Sequence, residues 1–491
     1  MEVKHDLILR LIKLLNTILM GLPVVCYWLI SFSGKFIISE LLCREGCLVV
    51  FLFFVLYFLF GQIYDAFWIS FNRLPEMIYS QMLAVILSDS IVYIAVWILI
   101  NRRPGLLLML ACVGMQLLFS TLWSAAAKAW YFHVFPAKKT AIIYNTHDEL
   151  QSLIENYGLT KKFGVTENCS IQECIESDFR QIRDNDIEVV CMRDVQSHDR
   201  NQILKYCINH KITVYVVPRV GDMLMRGAED LHMLHLPIVR LTRYKPSVEY
   251  AFTKRLFDIV FSGIALIVLS PIMLIAAIAI KLNDGGSVIY KQTRLTKDGR
   301  QFQILKFRSM RENAEEESGA ITSPKDDKRM TAVGKVIRRF RIDELPQFIN
   351  IFVGDMSIVG PRPERPELAE KFENDMPEFA LRLQVKAGLT GYAQVYGKYN
   401  TSPYDKLQMD LYYISNQSIL HDLMICLATV KILFMAESTE GVECDETDRG
   451  AQPAVVDVLV LPESHKCATE GQATQLILKK PANHTEDTKS I

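Results

Sequence analysis

The chain has 491 residues, 50% of them hydrophobic, and a formal net charge of −1. That length supports two or three domains, and the near-zero charge offers no basic excess of the kind nucleic acid attracts, so none is expected as a partner. The total conceals segregation, with apolar runs first, mixed patterning in the middle and acids at the end.

Between Leu7 and Phe135 lie apolar runs with few charges, each close to the ~20 residues a spanning helix needs. We read four membrane spans near 10–33, 46–63, 82–100 and 105–126. No small-residue cleavage site followed by a soluble stretch marks the first as a removable signal peptide. Lys and Arg flank both sides, with Arg102 and Arg103 in one loop and Lys138 and Lys139 after the last span, so the positive-inside count gives no orientation.

The stretch 136–245 alternates short β-branched runs with polar helix-like segments. Strands are predicted at Thr140 to Tyr144, Ile187 to Cys191 and Ile212 to Pro218, and helices near 147–157, 172–184 and 198–210. That pattern predicts a small parallel, Rossmann-like α/β domain. A nucleotide-binding version needs glycine after its first strand, where backbone approaches a pyrophosphate. Here that turn reads Asn145-Thr146-His147-Asp148, which favours a structural or regulatory role. The cysteines form no zinc spacing, and none occurs between Cys207 and Cys426, which suits a reducing compartment.

Leu256 to Ile280 is a fifth apolar segment, bounded by Lys254 and Arg255 before it and Lys281 after it. Pro271 near its middle removes a backbone N–H and crowds the carbonyl of Ile267, so a bend is expected, with the Ser270 hydroxyl free to partner the released carbonyl. A bend returns both charged ends to one membrane face, giving a re-entrant helix over 254–282. The rival is a kinked transmembrane helix. From Lys281 to Arg311, eight basic residues face two acids, a surface suited to anionic lipid headgroups, and Asp298-Gly299 reads as a hairpin turn.

The most informative stretch is Arg338 to Arg365, RRFRIDELPQFINIFVGDMSIVGPRPER. Leu345, Phe348, Ile349 and Phe352 follow a helical period, Asp343 stands where an N-cap belongs, and Pro346 fits the first turn. The acids are therefore expected to open a helix, at the end that favours a phosphate or a metal holding one. Pro361 and Pro363 hold the backbone around Arg362 extended, which suits bidentate phosphate binding by its guanidinium. Taken singly, each feature also fits an ordinary cap, a salt-bridged surface or a stiffened turn.

Three runs together, RRxRxDELPQ, GDMSIVGPRP and GLTGYAQVYG at Gly388 to Gly397, change that weighting. From about Lys254 to Met435 the chain resembles the bacterial sugar transferases, monotopic phosphoglycosyl transferases that move a hexose 1-phosphate from a UDP-sugar onto polyprenyl phosphate. Lys254-Arg255-Leu256-Phe257-Asp258, Ser270-Pro271, Lys306-Phe307-Arg308-Ser309-Met310 and the Asp327, Arg329, Thr331, Gly334 series belong to the same likeness. Thr296 departs from it, standing where relatives usually carry glycine.

The resemblance implies Asp343 as nucleophile, Glu344 as a Mg²⁺ ligand or proton handler beside it, and Asp343 and Glu344 together as the metal site. Arg338 and Arg362 hold phosphate oxygens, whereas Arg341 departs from the small polar residue some relatives carry and is an added phosphate contact or only a salt-bridge partner. Substrate contacts are expected at Lys306, Arg308, Gly388, Thr390, Gly391 and Gln394, and the helix break at Ser270 and Pro271. Mg²⁺ also suits the oxygen donors in its own right.

The expected architecture is thus a membrane protein of α and α/β parts. It comprises a four-helix transmembrane bundle over 1–135, the Rossmann-like domain over 136–245, and a mostly helical catalytic domain over 250–436 with its re-entrant helix. An acidic tail over 437–491, with eleven acids, five basic residues and no aromatic, is expected to be disordered. Expected partners are a UDP-hexose, polyprenyl phosphate, anionic lipids and a second copy of the chain, at the cytoplasmic face of a bacterial inner membrane. A membrane scaffold and a nucleotide-sensing regulator, both without catalysis, are the competing readings.

Overall fold

The computed structural model describes residues 2–30, 44–100, 103–145, 150–233, 236–311, 329–397 and 401–433. The acidic tail, and most of the turn after the first strand, lie outside the described residues.

Four long helices come first: α1 (Glu2–Trp28), α2 (Arg44–Ile63), α3 (Leu74–Ile100) and α4 (Leu106–Val134). Met20 and Val24, Val49, Phe53 and Tyr57, Val85, Val92 and Val96, and Met109 and Cys112 recur at helical spacing and close one shared core. The outward faces are as apolar as the inner ones: Phe51 is 68% exposed and Leu107 83%. A helix apolar all round is at home in lipid rather than water. Polar side chains sit inside instead, where Tyr57 donates to Asn16 Oδ1 at 2.7 Å and Ser120 to Gln81 Oε1 at 2.7 Å. α3 and α4 extend eight residues beyond the runs expected from hydropathy, because Met77 at one end and Ala127 and Tyr131 at the other pack with Ile12 of α1.

Next comes a four-stranded parallel sheet of β1 (Lys138–Tyr144), β2 (Phe163–Ser170), β3 (Val189–Arg193) and β4 (Thr213–Val216), in the order β2-β1-β3-β4. Alternate residues serve opposite faces. Ala141, Ile143, Val190 and Met192 pack on one side, Ile142, Val189 and Cys191 on the other. β2 was not expected, because this edge strand interleaves Gly164, Glu167 and Asn168 with its buried residues. The helix expected over 172–184 is two short ones, interrupted where Asp178 and Phe179 take positive φ of 50° and 59°.

The fifth apolar segment is one long helix, α5 (Val248–Asp284), running through Pro271, and the Ser270 hydroxyl donates to the Ile267 carbonyl at 2.7 Å. Its first end is clamped by Lys254 to Asp422 at 2.7 Å and by Asp258 Oδ1, which accepts from the Ile358 N–H at 3.0 Å. Its last end buries Ala276 and Ile280 against Phe307 and Ile337 of the same α/β part. Between them Ile267, 76% exposed, and Ile275, 67%, are left uncovered by the described residues.

The hairpin of β5 (Ile289–Leu295) and β6 (Gln301–Phe307) turns at Asp298 and Gly299, with φ of 60° and 74°, as Asp-Gly hairpins do. Thr296 leaves that turn intact: its φ is −129° and its buried hydroxyl donates to the Asp355 carbonyl at 3.0 Å. Then follow α6 (Ala332–Arg339), α7 (Gln347–Val353), β7 (Ser357–Val359), β8 (Gly388–Thr390), α8 (Pro403–Ser415) and α9 (Ile419–Leu433). α9 returns to the first helices, where Lys431 Nζ donates to the Tyr64 carbonyl at 3.0 Å. α8 meets the parallel sheet through Arg193 and Asp405 at 3.2 Å.

Candidate active site

Three local devices bring the charged side chains together. The Thr331 hydroxyl caps α6 by accepting from the Gly334 N–H at 2.9 Å, and Gly334 lets the helix approach the Ser309 carbonyl more closely than any Cβ would permit. After α6, Arg341 adopts φ of 52° and reverses the chain into a 3₁₀ turn, Ile342–Glu344. α7 is then pinned to β6 by Asn350, whose Oδ1 accepts from the Leu305 N–H at 3.0 Å and whose Nδ2 donates to the Gln303 carbonyl at 2.9 Å. Lys306 is the next residue along that strand.

The acids do not open α7. Asp343 and Glu344 occupy the separate 3₁₀ turn, and α7 begins at Gln347 behind Pro346 with no side-chain cap. The expectation of an N-cap at Asp343 is therefore corrected. The cause is the left-handed Arg341, which consumes the entry turn before the α-helix starts. The charge that compensates these carboxylates comes from side chains.

Lys306 Nζ lies 3.3 Å from Glu344 Oε1, and Arg341 Nη1 lies 3.8 Å from Glu344 Oε2. Burial by itself would push Glu344 up, but Lys306, Arg362 and Arg341 outweigh it and hold the carboxyl well below its usual range. Asp343 is only 8% exposed, and burial, with the Glu344 charge beside it, raises it to about 6 against the opposing pull of Lys306 and Arg338. Burial also lowers Lys306, which Glu344 opposes. Two neighbouring acids are thus driven apart, one ionised at every ordinary pH and the other able to exchange a proton near neutrality.

Arg338 and Arg362 are both exposed beside this pair. The remaining expected contacts lie deeper. Arg308 is buried against Gly286. Gly388, Thr390 and Gly391 form a close seam with Gly360: a Cβ on Gly388 would meet the Gly360 nitrogen at 2.1 Å, and Thr390 bonds Thr429 at 2.6 Å. Gln394 donates to the Leu389 carbonyl at 3.2 Å. These four brace the strand pair behind Arg362. Sequence reasoning missed Asn350, which stands between two isoleucines in an apolar run, and Arg294, which burial and the nearby Arg362 pull down to about 10.

The family model described as Bacterial sugar transferase matches residues 249–436. Over 235 residues the chain is 40% identical to a UDP-N-acetylgalactosamine-undecaprenyl-phosphate N-acetylgalactosaminephosphotransferase of Aeromonas hydrophila, covering 47% of this chain and 55% of that protein. It is 36% identical over 223 residues to a UDP-glucose:undecaprenyl-phosphate glucose-1-phosphate transferase of Escherichia coli K12, covering 44% and 48%. The match thus spans about half the length of those two relatives. With the exopolysaccharide production protein PSS of Rhizobium leguminosarum bv. phaseoli, identity is 39% over 198 residues, 38% of this chain but 96% of that protein. A relative matched over nearly its whole length, together with motifs that fold into one charged site, shows that the chain belongs to the bacterial sugar transferase family.

Proposed function

We propose that this protein transfers a hexose 1-phosphate from a UDP-sugar to polyprenyl phosphate and releases UMP. The observation that carries the reading is the division of labour at residues 343 and 344: a buried carboxylate ionisable near neutral pH, beside one already neutralised by Lys306 and Arg341. The relatives named for undecaprenyl-phosphate sugar phosphotransfer support it.

In this mechanism an Asp343 carboxylate oxygen attacks the β-phosphorus of the UDP-sugar. The bond from that phosphorus to the bridging oxygen breaks, and UMP leaves with the electron pair. A phosphate oxygen of the lipid then attacks the same phosphorus and Asp343 departs as carboxylate. A phosphate monoester with second pKa near ~6 is already largely dianionic, so the second attack needs no base. What it needs is cancellation of charge between anions, which Arg338, Arg362 and Lys306 supply.

Mg²⁺ is typically bound by one or two carboxylates together with substrate phosphates. The adjacent Asp343 and Glu344 fit that donor set, and among the described residues no cluster of three or more His, Cys, Asp or Glu offers an all-protein site. Asp343 and Glu344 would hold the ion, which would supply positive charge against the phosphates.

We read α1 to α4 as a membrane bundle and α5 as re-entrant. Both ends of α5 pack on one α/β part while its exposed apolar middle projects away, which suits entry and return at the same face. That face is the cytoplasmic one, where UDP-sugars are made. The deciding experiment incubates purified protein with Mg²⁺, polyprenyl phosphate and a panel of UDP-sugars and measures UMP. No UMP from any of them, in protein that is folded and membrane-inserted, favours the scaffold reading.

A further inference from the structure

Four consecutive carbonyls, those of Pro361, Arg362, Pro363 and Glu364, each accept a hydrogen bond from elsewhere in the chain. The donors are the Gly388 N–H at 2.9 Å, Arg382 Nη2 at 3.0 Å, Arg294 Nη1 at 3.1 Å and the Leu295 N–H at 3.0 Å. Prolines at 361 and 363 remove two N–H groups, so this segment cannot make a regular ladder and its carbonyls are met one at a time. The Arg362 side chain, by contrast, is exposed and makes no hydrogen bond or ion pair with the described residues. A side chain that keeps its hydrogen-bond donors unused, on a backbone held at every carbonyl, is preorganised for a ligand.

The carbonyl of Arg362 itself is held by the most elaborate of the four donors. Arg382 is 4% exposed and comes from the 3₁₀ stretch Pro377–Gln384. It forms an ion pair at 2.7 Å with Asp410 of α8, itself 1% exposed, and a longer one at 3.5 Å with Glu364, and its guanidinium lies 4.9 Å over the Phe379 ring. Burying two charges is expensive, and a well-packed apolar pair of the same volume is often at least as stable. Stability alone is thus a weak reason for a charged pair at this place. The bond it makes possible, to the backbone of the exposed arginine, is a better one.

We propose that the buried Arg382–Asp410 pair is a positioning device for Arg362. Asp410, 2.7 Å away, compensates the charge of the Arg382 guanidinium, and Arg382 fixes the peptide from which Arg362 reaches the phosphate of the donor nucleotide. The inference rests on the reading above that Arg362 binds phosphate. Asp410 and Arg382 touch no reacting atom; they act through Arg362.

The test replaces the pair by apolar residues of similar size, Arg382→Met with Asp410→Leu, in the full chain, both alone and combined with Arg362→Ala. Melting temperature and kcat/KM for the UDP-sugar are measured on these two variants, on Arg362→Ala alone and on the unmutated protein. We expect the double replacement to melt at or above the temperature of the unmutated protein yet lose about 10- to 100-fold in kcat/KM, as misplaced binding groups do. That loss should vanish when Arg362 is already alanine. Full activity in the double replacement, or an equal further loss on top of Arg362→Ala, overturns the proposal. If the double replacement does not fold, Arg382→Lys, which keeps a charge for Asp410 but cannot hold both partners in one plane, takes its place with the same outcomes. Undiminished activity of Arg362→Ala alone would overturn the phosphate assignment instead, and the two failures are thereby told apart.

Discussion

Lys306 Nζ lies 3.3 Å from Glu344 Oε1, so of two adjacent acids it is the second that owns the ion pair. Asp343, one residue earlier and more deeply buried, takes the cost of that arrangement: burial and the ionised Glu344 raise it together. This asymmetry generates the first three predictions.

Asp343→Asn should abolish turnover, because an amide is a very poor nucleophile toward phosphorus. The same variant should not be less stable at pH 8. The folded-state carboxyl of Asp343 titrates at about 6 against a usual 3.8, so its favourable contribution is present at low pH and is lost as pH rises through 6. Removing the charge should therefore stabilise by up to about 3 kcal/mol at pH 8, with the gain shrinking between pH 6 and 4. Thermal melts of both proteins across that range decide it; an asparagine variant that melts earlier at pH 8 contradicts the burial argument.

The first half-reaction should fade as pH falls through the range in which Asp343 gains its proton, a range that burial and Glu344 raise and that Mg²⁺ on the carboxylate lowers. The measurement omits polyprenyl phosphate, since the lipid phosphate titrates near ~6 as well and would mask the enzyme's own group. With UDP-sugar and Mg²⁺ alone, at most about one UMP per active site should be released, leaving phospho-sugar on the peptide containing Asp343. Mass spectrometry after rapid acid quench reads this directly, and label on another residue refutes the nucleophile assignment.

Lys306→Met should destabilise the protein by about 1–3 kcal/mol at pH 7, because it leaves Glu344 half-buried without its principal cation. Glu344 contributes stability above the usual carboxyl range near 4.5 and loses it as pH falls toward about 2. The penalty of Lys306→Met should accordingly shrink below pH 4, where the variant's Glu344 is protonated. Adding Glu344→Gln should recover much of the loss at pH 7, and simple additivity of the two changes would show that the pair is not coupled.

Replacing Ser270 and Pro271 by alanine and leucine should straighten α5 and carry one of its ends across the membrane. In the re-entrant reading the Ser270 bond to Ile267 and the missing Pro271 N–H favour a bend, and the exposed middle of the helix is apolar enough to span. Cysteines at positions 254 and 282 report the outcome by labelling. Labelling of the two from opposite faces in the otherwise unmutated protein would mean that α5 crosses.

Patterns that repeat along the chain were legible without coordinates. Apolar runs placed four helices to within about eight residues, and β-branched runs placed three of the four parallel strands. β2 escaped because an edge strand covered on few positions carries little hydrophobic signal. The identities of Asp343, Glu344, Lys306, Arg338, Arg341 and Arg362 as one set came from motif likeness, since no periodicity connects residue 306 with residue 362.

By itself the sequence determined which segments are apolar enough for a membrane, where glycine and proline limit the backbone, and which charged residue types are available. Those are properties of single residues and their near neighbours. Only the tertiary structure decided that Arg341 takes the left-handed turn that moves the acids out of the helix cap, that Lys306 selects Glu344 over Asp343, and that Arg382 reaches the carbonyl of Arg362. Each depends on groups 20 or more residues apart, or on a φ that a non-glycine residue adopts only when its surroundings impose it.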